Sequence, residues 1–411
     1  MNNVIGVTTV GVMPVRTTLL SVAAGVLVTN LFATQLVIAQ IAAGLDIPVA
    51  SAGLVPMLTM LGYACGLVFV LPLIDMFENR RLLLVTLVAS VLALVMAAVA
   101  PSKVSLLTAA FLVGATSCGL QMIVVMAATL SSEAQRGQVI GTVMSGLMLG
   151  VLLSRPAGSL IAGALGWRAV YATSAIAVAI LMMLLARSLP AYRPQFPVGY
   201  FESLASLLPL LTREPILRRR ATYQALLMFS FNCFWIGVAW RLAQAPFHLG
   251  SRGIALFALA GAGGVLIAPA AGRAGDRGLT RPATLWAHLV VIAGLALAAL
   301  AARNSASLTV GLSLLALAMS AVLLSIGGVA DQALGRRAVN MIRPEARGRV
   351  NGLFTGSFFV GGALGAALAG PAWSIGGWMG VCVIAAIPAV LAFALRLTER
   401  DPEQSLPDVA R

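Results

Sequence analysis

Charged side chains are scarce in this chain. They make up 10% of its 411 residues, whereas hydrophobic residues make up 60% and mean hydropathy is +0.98. A water-soluble domain carries far more charge, because its surface must be compatible with water. The composition therefore excludes a soluble protein and predicts a chain whose surface mostly faces lipid.

Acidic residues are scarcer still, at 13 against 27 basic residues, and all but one of the basic residues are arginine. The arginines cluster in alternate loops, at 75–81, 131–138, 188–219, 273–281 and 335–349; we call the side that carries these loops the arginine-rich side. Such a bias is typical of cytoplasmic loops of bacterial inner-membrane proteins, so both termini are expected in the cytoplasm. The stretch before Arg16 lacks a signal-peptide layout, so the first apolar segment is expected to be retained. No basic patch is interleaved with exposed aromatic residues, so nucleic acid is not an expected partner.

Cysteine is also rare, and the four cysteines all lie inside apolar segments: Cys65, Cys118, Cys233 and Cys382. They are expected to be small packing residues and not disulfides or metal ligands. The sequence has no ATP-binding motif, zinc-ligand spacing or buried nucleophile–base set, so neither a cofactor nor an enzymatic activity is expected.

Long apolar runs without two-residue alternation predict membrane-spanning helices of about 20 residues. Twelve such segments run roughly over 17–45, 50–74, 82–100, 104–130, 139–164, 169–187, 220–246, 253–272, 282–302, 307–333, 350–371 and 378–396. This pattern predicts a six-helix unit at 1–187, a cytoplasmic linker at 188–219, a second six-helix unit at 220–398 and a tail at 399–411. The second part of the linker is expected to be either an interfacial helix or a plain tether.

The two halves repeat one another. RGQVIG at 136–141 returns as RGRVNG at 347–352, and Trp167 after a glycine returns as Trp378 after a glycine, both 211 positions later. An internal repeat of this kind indicates that one half-molecule was used twice.

Several motifs resemble the major facilitator superfamily. The loop LPLIDMFENRRLLL, with Asp75, Arg80 and Arg81, is similar to its G-x-L-x-D-R-x-G-R-R/K signature, and GRAGDRGLTR repeats it with Asp276 and Arg277. GVLLSRPAGSLIAG resembles a degraded antiporter signature in which Arg155 replaces a glycine. The resemblance implies an all-α membrane protein of twelve helices in two pseudo-symmetric six-helix bundles. Bacterial drug- or sugar-efflux permeases are the most similar members.

In that superfamily the second helix packs beside the eleventh and the fifth beside the eighth. The resemblance therefore implies two gating latches on the arginine-rich side: Asp75 with Arg347 or Arg349, and Asp276 with Arg136, flanked by Arg80, Arg81 and Arg277. The alternative is that these charges only set topology, since exposed pairs contribute about 0–1 kcal/mol.

Arg155 lies midway along the fifth segment, where a charge is costly and usually functional. It is expected either to contact an anionic substrate or to cap backbone carbonyls at a break made by Pro156. The resemblance implies a central cavity lined mainly by the first, fourth, seventh and tenth segments. The candidates for substrate binding there are Asn30, Gln35, Gln121, Asn232 and Trp235. Interhelical hydrogen bonding is the alternative for each of them.

Proton coupling has few candidates, because no acidic residue lies deep in a predicted span. The sequence offers only Asp46 and Asp331, both expected near helix ends. His288 is expected to face lipid or packing, and neither it nor His248 is expected to relay protons.

These features together predict a monomeric secondary transporter that works by rocker-switch alternating access and exports a small organic solute. Unpaired Arg155 favours an anionic or carboxylate-bearing solute. The alternatives are a multidrug/proton antiporter for lipophilic compounds and an organic-anion importer or exchanger.

Overall fold

The computed structural model describes residues 14–193, 199–301, 310–342 and 347–399, and every regular element in those ranges is helical. The first half contains α1 (Pro14–Phe32), α2 (Ile38–Gly44), α3 (Val49–Ala52), α4 (Leu54–Cys65), a π-helix (Gly66–Val70), a 3-10 helix (Leu71–Asp75), α5 (Asn79–Ala98), α6 (Lys103–Thr116), α7 (Gly119–Thr129), α8 (Glu133–Leu165) and α9 (Trp167–Ser188). Two short helices follow, α10 (Tyr200–Ala205) and α11 (Leu207–Arg213).

The second half contains α12 (Pro215–Ala243), α13 (Ser251–Ala258), a 3-10 helix (Leu259–Ala262), α14 (Gly263–Asp276), α15 (Thr280–Ala301), α16 (Val310–Asn340) and α17 (Arg347–Leu397). Ten helical stretches in the described ranges are long and apolar enough to cross a membrane, and Arg16–Phe32 is a shorter apolar helix. These stretches fall where the sequence predicted the spans, and they are consistent with twelve crossings.

The last two predicted spans join in α17 without an intervening loop. Gly377 interrupts this 51-residue helix with φ 55° and ψ −144°, a left-handed conformation that glycine adopts without steric strain. A straight helix of that length would extend about 75 Å at 1.5 Å per residue, far beyond a hydrocarbon core of about 30 Å. Gly377 therefore supplies the reversal between the eleventh and twelfth spans.

Large apolar side chains cover the outside of the helices, among them Leu92, Leu165 and Leu300, which are all more than half exposed. Because lipid surrounds such a surface, the helices associate through close approach of small residues. A Cβ at Gly361 or Gly365 of α17 would overlap the backbone oxygens of Ala225 or Phe229 of α12. Small residues of the eleventh span therefore form a packing surface against α12.

The two halves meet on the side away from the arginine-rich loops. Ser159 Oγ of α8 donates a hydrogen bond of 2.9 Å to the backbone oxygen of Ser251 at the start of α13, and a Cβ at Gly53 would overlap the carbonyl of Ala366. Toward the arginine-rich side, positions Gly141 of α8 and Gly272 of α14 have no atom within 4 Å of a Cβ placed there. The seam between α8 and α14 is therefore open on the arginine-rich side.

The linker region approaches both halves on the arginine-rich side. Tyr200 of α10 donates its hydroxyl to the backbone oxygen of Phe69 (3.0 Å), and Arg349 Nη1 donates to Ser206 Oγ (2.8 Å). The predicted proline-rich part of the linker includes 194–198, which lie outside the described residues, as does the predicted tail from 400 onward. The predicted unit boundaries at 187/188 and 219/220 stay predictions.

Candidate functional site

A chain of buried polar side chains crosses from one half to the other at the middle of the molecule. Arg155 of α8 donates from Nε to Gln35 Oε1 at 2.9 Å, and Gln35 donates from Nε2 to Asn232 Oδ1 of α12 at 2.6 Å. Asn232 in turn donates to the backbone oxygen of Met228 at 3.0 Å. Arg155 is 5% exposed and the two amides are fully buried, so this chain links the halves without solvent between them.

The local backbone explains how Gln35 reaches Arg155. The first predicted span, 17–45, is not one helix: it stops at Phe32 and resumes at Ile38, and Gln35 lies in the intervening turn. A Cβ at Gly150 would overlap the backbone of Gly25, and one at Gly158 would overlap the carbonyl of Ala33. Glycines on α8 therefore let it lie directly against α1 and the turn, which brings the arginine between these glycines to the interrupted helix.

Three aromatic rings surround the Arg155 guanidinium. Its Cζ lies 5.1 Å from the ring centroid of Phe32, 5.3 Å from that of Phe231 and 4.8 Å from that of Trp235. Ring faces attract a cation by about 0.5–2 kcal/mol each, more when water is excluded. The rings come from both halves, so they stabilise a positive charge between them. We call Arg155, Gln35, Asn232, Trp235, Phe32 and Phe231 the central site.

The central site contains two buried donors that have no acceptor among the described residues. They are Nη2 of Arg155 and Nε1 of Trp235. An unpaired buried donor costs roughly 1–3 kcal/mol, and more when it is charged. No ion pair to Arg155 is present in the described ranges, so its charge is balanced only by Gln35 and the rings. The site can therefore accept a negatively charged group.

The alternative structural role predicted for Arg155 has little support in the geometry. Helix α8 runs without interruption from Glu133 to Leu165, with Pro156 inside it. The hydrogen bond of Arg155 goes to a side-chain amide, and within the described part of the chain none goes to a backbone carbonyl.

Two of the predicted substrate-binding residues lie outside the hydrogen-bonded chain. Gln121 of α7 donates to the hydroxyl of Tyr63 at 3.2 Å. Asn30 is buried, and both of its amide atoms have no partner in the described ranges. The sequence reasoning missed Phe32 and Phe231, although Phe231 lies four residues before Trp235 and so shares its helix face.

The predicted latch residues have different partners in this conformation. Asp276 accepts a hydrogen bond of 2.9 Å from Arg337 Nε, which belongs to the same half. Arg136 donates from Nε to the backbone oxygen of Ala128 at 3.2 Å. The predicted Asp276–Arg136 contact is absent here, which is consistent with the open seam between α8 and α14.

In the other predicted latch, Asp75 lies close enough to Arg349 for the two charges to interact electrostatically. Arg347 is the first residue of α17, and the structure does not describe its side chain. Arg80 donates to the backbone oxygen of Ala186. Arg81 and Arg277 are exposed.

The two acidic residues considered for proton coupling, Asp46 and Asp331, differ in exposure to solvent. Asp46 is exposed in the turn after α2, as expected. Asp331 and His288 are 1% and 0% exposed, and His288 Nε2 lies 3.2 Å from Asp331 Oδ1. Of the two positions expected for His288, lipid or packing, the structure shows packing, because α15 and α16 pack along their lengths and bury both side chains in one helix interface. Asp331 lies nine residues before the end of α16, and its predicted place near a helix end stays a prediction.

Comparisons with known proteins agree with the fold and the motifs. Residues 18–322 match the Major Facilitator Superfamily. The uncharacterised transporter YgaY of Escherichia coli strain K12 is 32% identical over 378 residues, which are 92% of this chain and 94% of YgaY.

Solved structures of transporters also share the fold. The nucleoside transporter NupG superposes with a TM-score of 0.74 at 14% identity, and the human organic anion transporter MFSD10 with a TM-score of 0.63 at 18% identity. Each comparison covers 93% of this chain and 99% of the other. The resemblance drawn from the loop motifs is confirmed: the chain belongs to the Major Facilitator Superfamily and is a multi-pass membrane transporter of the bacterial type.

Proposed function

We propose that this protein is a secondary active transporter for small organic anions, with a carboxylate or similar group bound by Arg155. The observation that carries the proposal is the buried Arg155 guanidinium, whose Nη2 has no acceptor among the described residues and which three aromatic rings surround. The rings of Phe32, Phe231 and Trp235 favour a solute whose remainder is apolar or aromatic.

Electrostatics favours an anion over a cation at this position. Two unit charges 4 Å apart interact by about 4 kcal/mol at an effective dielectric constant of 20. That interaction is attractive for a carboxylate and repulsive for an ammonium group, and arginine does not lose its proton to relieve the repulsion. A carboxylate also supplies acceptors for Arg155 Nη2 and Trp235 Nε1, which a cation does not.

The position of the central site suits alternating access. Gln35 and Asn232 join the halves, and the rings around Arg155 come from both halves. A solute bound there contacts both halves, so rocking about the site exposes it to one side of the membrane at a time. In our proposal the two latches, Asp75 with Arg347 or Arg349 and Asp276 with Arg136, close the arginine-rich side when the seam between α8 and α14 closes.

The bias of arginine between loops supports placement in the bacterial inner membrane with both termini in the cytoplasm. The resemblance of GVLLSRPAGSLIAG in the fifth span to an antiporter signature supports export over uptake. We further propose that the working unit is a monomer.

The experiment is thermal unfolding of the detergent-purified protein against a panel of anionic, zwitterionic and cationic organic compounds. A ligand at about 100 times its dissociation constant stabilises the folded state by about 2.7 kcal/mol. We expect aromatic or apolar carboxylates to raise the unfolding temperature of the wild type and to lose this effect in Arg155→Ala. Arg219→Ala is the matched control, because Arg219 is an exposed arginine of α12 and its loss should leave the stabilisation intact.

Stabilisation by cations, or by anions equally in the wild type and Arg155→Ala, would contradict the proposal. The first of these results would favour a multidrug/proton antiporter for lipophilic compounds.

A further inference from the structure

Besides Arg155, the interior of the molecule contains a buried pair of titratable groups in the second half, His288 of α15 and Asp331 of α16. His288 Nε2 and Asp331 Oδ1 are 3.2 Å apart, and both side chains are almost completely inaccessible. The pair is separate from the central site, since neither residue contacts Arg155 in the described structure. We propose that His288 and Asp331 form a one-proton binding site through which proton uptake from the arginine-rich side shifts the conformation of the transporter.

The geometry suits the binding of one proton. Nε2 of His288 lies 3.2 Å from the carboxylate, whereas Nδ1 is buried with no partner in the described residues, so we assign the proton of the neutral imidazole to Nε2. With Nδ1 unprotonated, the pair holds one uncompensated negative charge on Asp331. One added proton makes the pair neutral overall, whether it resides on the imidazole or on the carboxylate.

Charged and titratable groups face this pair from the neighbouring helices. From α12, the ring of Tyr223 meets the imidazole edge-on at 5.3 Å between centroids, and Arg220 is only 5% exposed. Arg220 donates from Nη1 to Thr284 of α15 at 2.9 Å, one turn before His288. Its Cβ lies 3.8 Å from a Cβ placed at Gly335 of α16, one turn after Asp331.

Charged residues at and just after the end of α17 lie next to Arg220. Arg220 Nη2 lies 3.6 Å from Glu399 Oε1, and Arg396 Nη1 lies 3.1 Å from Glu399 Oε2. Glu399 is 20% exposed at its side chain. Charged groups therefore extend from the partly exposed Glu399, past Arg220, toward the buried pair. In our proposal the proton reaches Asp331 from this side, while Arg220 keeps its own proton.

Helix α16 connects the pair to the moving parts of the molecule. Asp331 lies six residues after Ser325. A Cβ placed at Gly261 would lie 3.8 Å from Ser325 Oγ and 3.1 Å from the Trp235 ring, so this part of α16 lies near Trp235. Asp331 also lies six residues before Arg337, which holds Asp276. A change of charge at Asp331 therefore acts on the helix that borders the central site and retains a predicted latch residue.

The α15–α16 interface leaves little room to absorb such a change locally. A Cβ at Gly327 would meet the backbone oxygen of Ala287 at 2.5 Å, next to His288. Interiors packed this closely move as bodies and do not deform continuously. Protonation is therefore expected to bias α16 as a whole.

The first test is infrared difference spectroscopy of the purified full-length protein between acidic and neutral pH, with no ligand added. We expect bands of a buried carboxyl group and an imidazole that change together, and that both Asp331→Asn and His288→Gln remove. Asp276→Asn is the matched control, because Asp276 is an exposed carboxylate in an ion pair. Spectra of Asp331→Asn and His288→Gln that equal the wild-type spectrum would overturn the proton site. If Asp331→Asn does not fold, His288→Gln decides alone.

The second test asks whether the proton moves the protein. In a variant whose four cysteines are replaced by alanine, Gly141→Cys reports on the open seam, and Gly376→Cys on the other side corrects for the pH dependence of thiol labelling. Both positions have open space around the added side chain. We expect the labelling ratio to change with pH, and Asp331→Asn to abolish the change. A ratio that does not depend on pH, or depends on it equally in Asp331→Asn, would refute the conformational effect. Neither test uses a solute, so its failure is distinguishable from failure of the anion proposal.

Discussion

The hydrogen bond between Gln35 and Arg155 allows a quantitative prediction. Gln35→Met keeps a side chain of similar size but removes both the acceptor for Arg155 Nε and the donor to Asn232. A hydrogen bond to a charged group contributes about 1.5–3 kcal/mol, and a neutral one about 0.5–1.5 kcal/mol. We therefore expect Gln35→Met to lower the free energy of unfolding by about 2–4 kcal/mol.

A double-mutant cycle isolates the contribution of the charged bond. In an Arg155→Met background the buried charge is gone, so Gln35→Met should lose only the neutral bond to Asn232. The coupling free energy between the two substitutions should be about 1.5–3 kcal/mol. Equilibrium unfolding in mixed micelles of a mild detergent and dodecyl sulfate measures each corner of the cycle.

The control substitution is Gln121→Met, since Gln121 makes a neutral hydrogen bond to Tyr63. We expect no coupling of Gln121→Met to Arg155→Met. Independent sites add within about 0.5 kcal/mol. A coupling of Gln35 to Arg155 within that limit would refute the view that Gln35 holds a buried, charged guanidinium.

Three further predictions follow from other contacts. Gly365→Val should prevent folding, because the valine side chain would overlap the carbonyl of Phe229. Gly356→Ala should be tolerated, because there is open space around a Cβ at Gly356. Size-exclusion profiles of the two variants in detergent test this difference. Trp235→Phe keeps a ring beside Arg155 but lacks the Nε1 donor, so the dissociation constant for an anion should rise two- to tenfold, about the contribution of one hydrogen bond. The unfolding temperature measured at increasing anion concentration gives this constant. An unchanged constant would exclude a contact between the anion and Trp235. Asp75→Asn should raise labelling of the Gly141→Cys reporter from the cytoplasmic side if Asp75 is a latch, and unchanged labelling would leave it as a topology determinant.

Much of the fold could be predicted from sequence because it depends on length and composition. Apolar runs of about 20 residues, alternation of arginine between loops and small residues four apart each have one dominant physical cause in a bilayer. Arg155 could be identified as exceptional for the same reason, because a charge in the middle of an apolar segment needs a partner.

Gln35 and Trp235 were among the candidate residues, but their contacts with Arg155 could not be predicted, because the contacts depend on which way each helix faces. Periodicity does not distinguish a lipid-facing phenylalanine from Phe32 where the helix is apolar on every side. The interruption after Phe32 is equally hidden, since the sequence through Gln35 contains no proline or glycine that would predict a break.

The common depth of His288 and Asp331 was hidden by the predicted ends of their spans. His288 lies eight residues after the start of α15, and Asp331 lies nine residues before the end of α16, so both are at a similar distance from the same side. The apolar segments predicted at 282–302 and 307–333 put them six and two residues from that side, because α16 continues beyond the apolar run to Asn340.

The most direct test of the central claim is transport of the best stabilising carboxylate by purified protein in liposomes. The account predicts counterflow of the labelled anion by the wild type. In Arg155→Lys the rate at limiting substrate should be about ten- to a hundredfold lower, because a hydrogen bond to a charged group contributes about 1.5–3 kcal/mol. Lysine has no planar guanidinium with which to replace this hydrogen bond. Arg219→Lys should match the wild type. Equal anion transport by the wild type and Arg155→Lys would contradict the claim that Arg155 binds the transported solute.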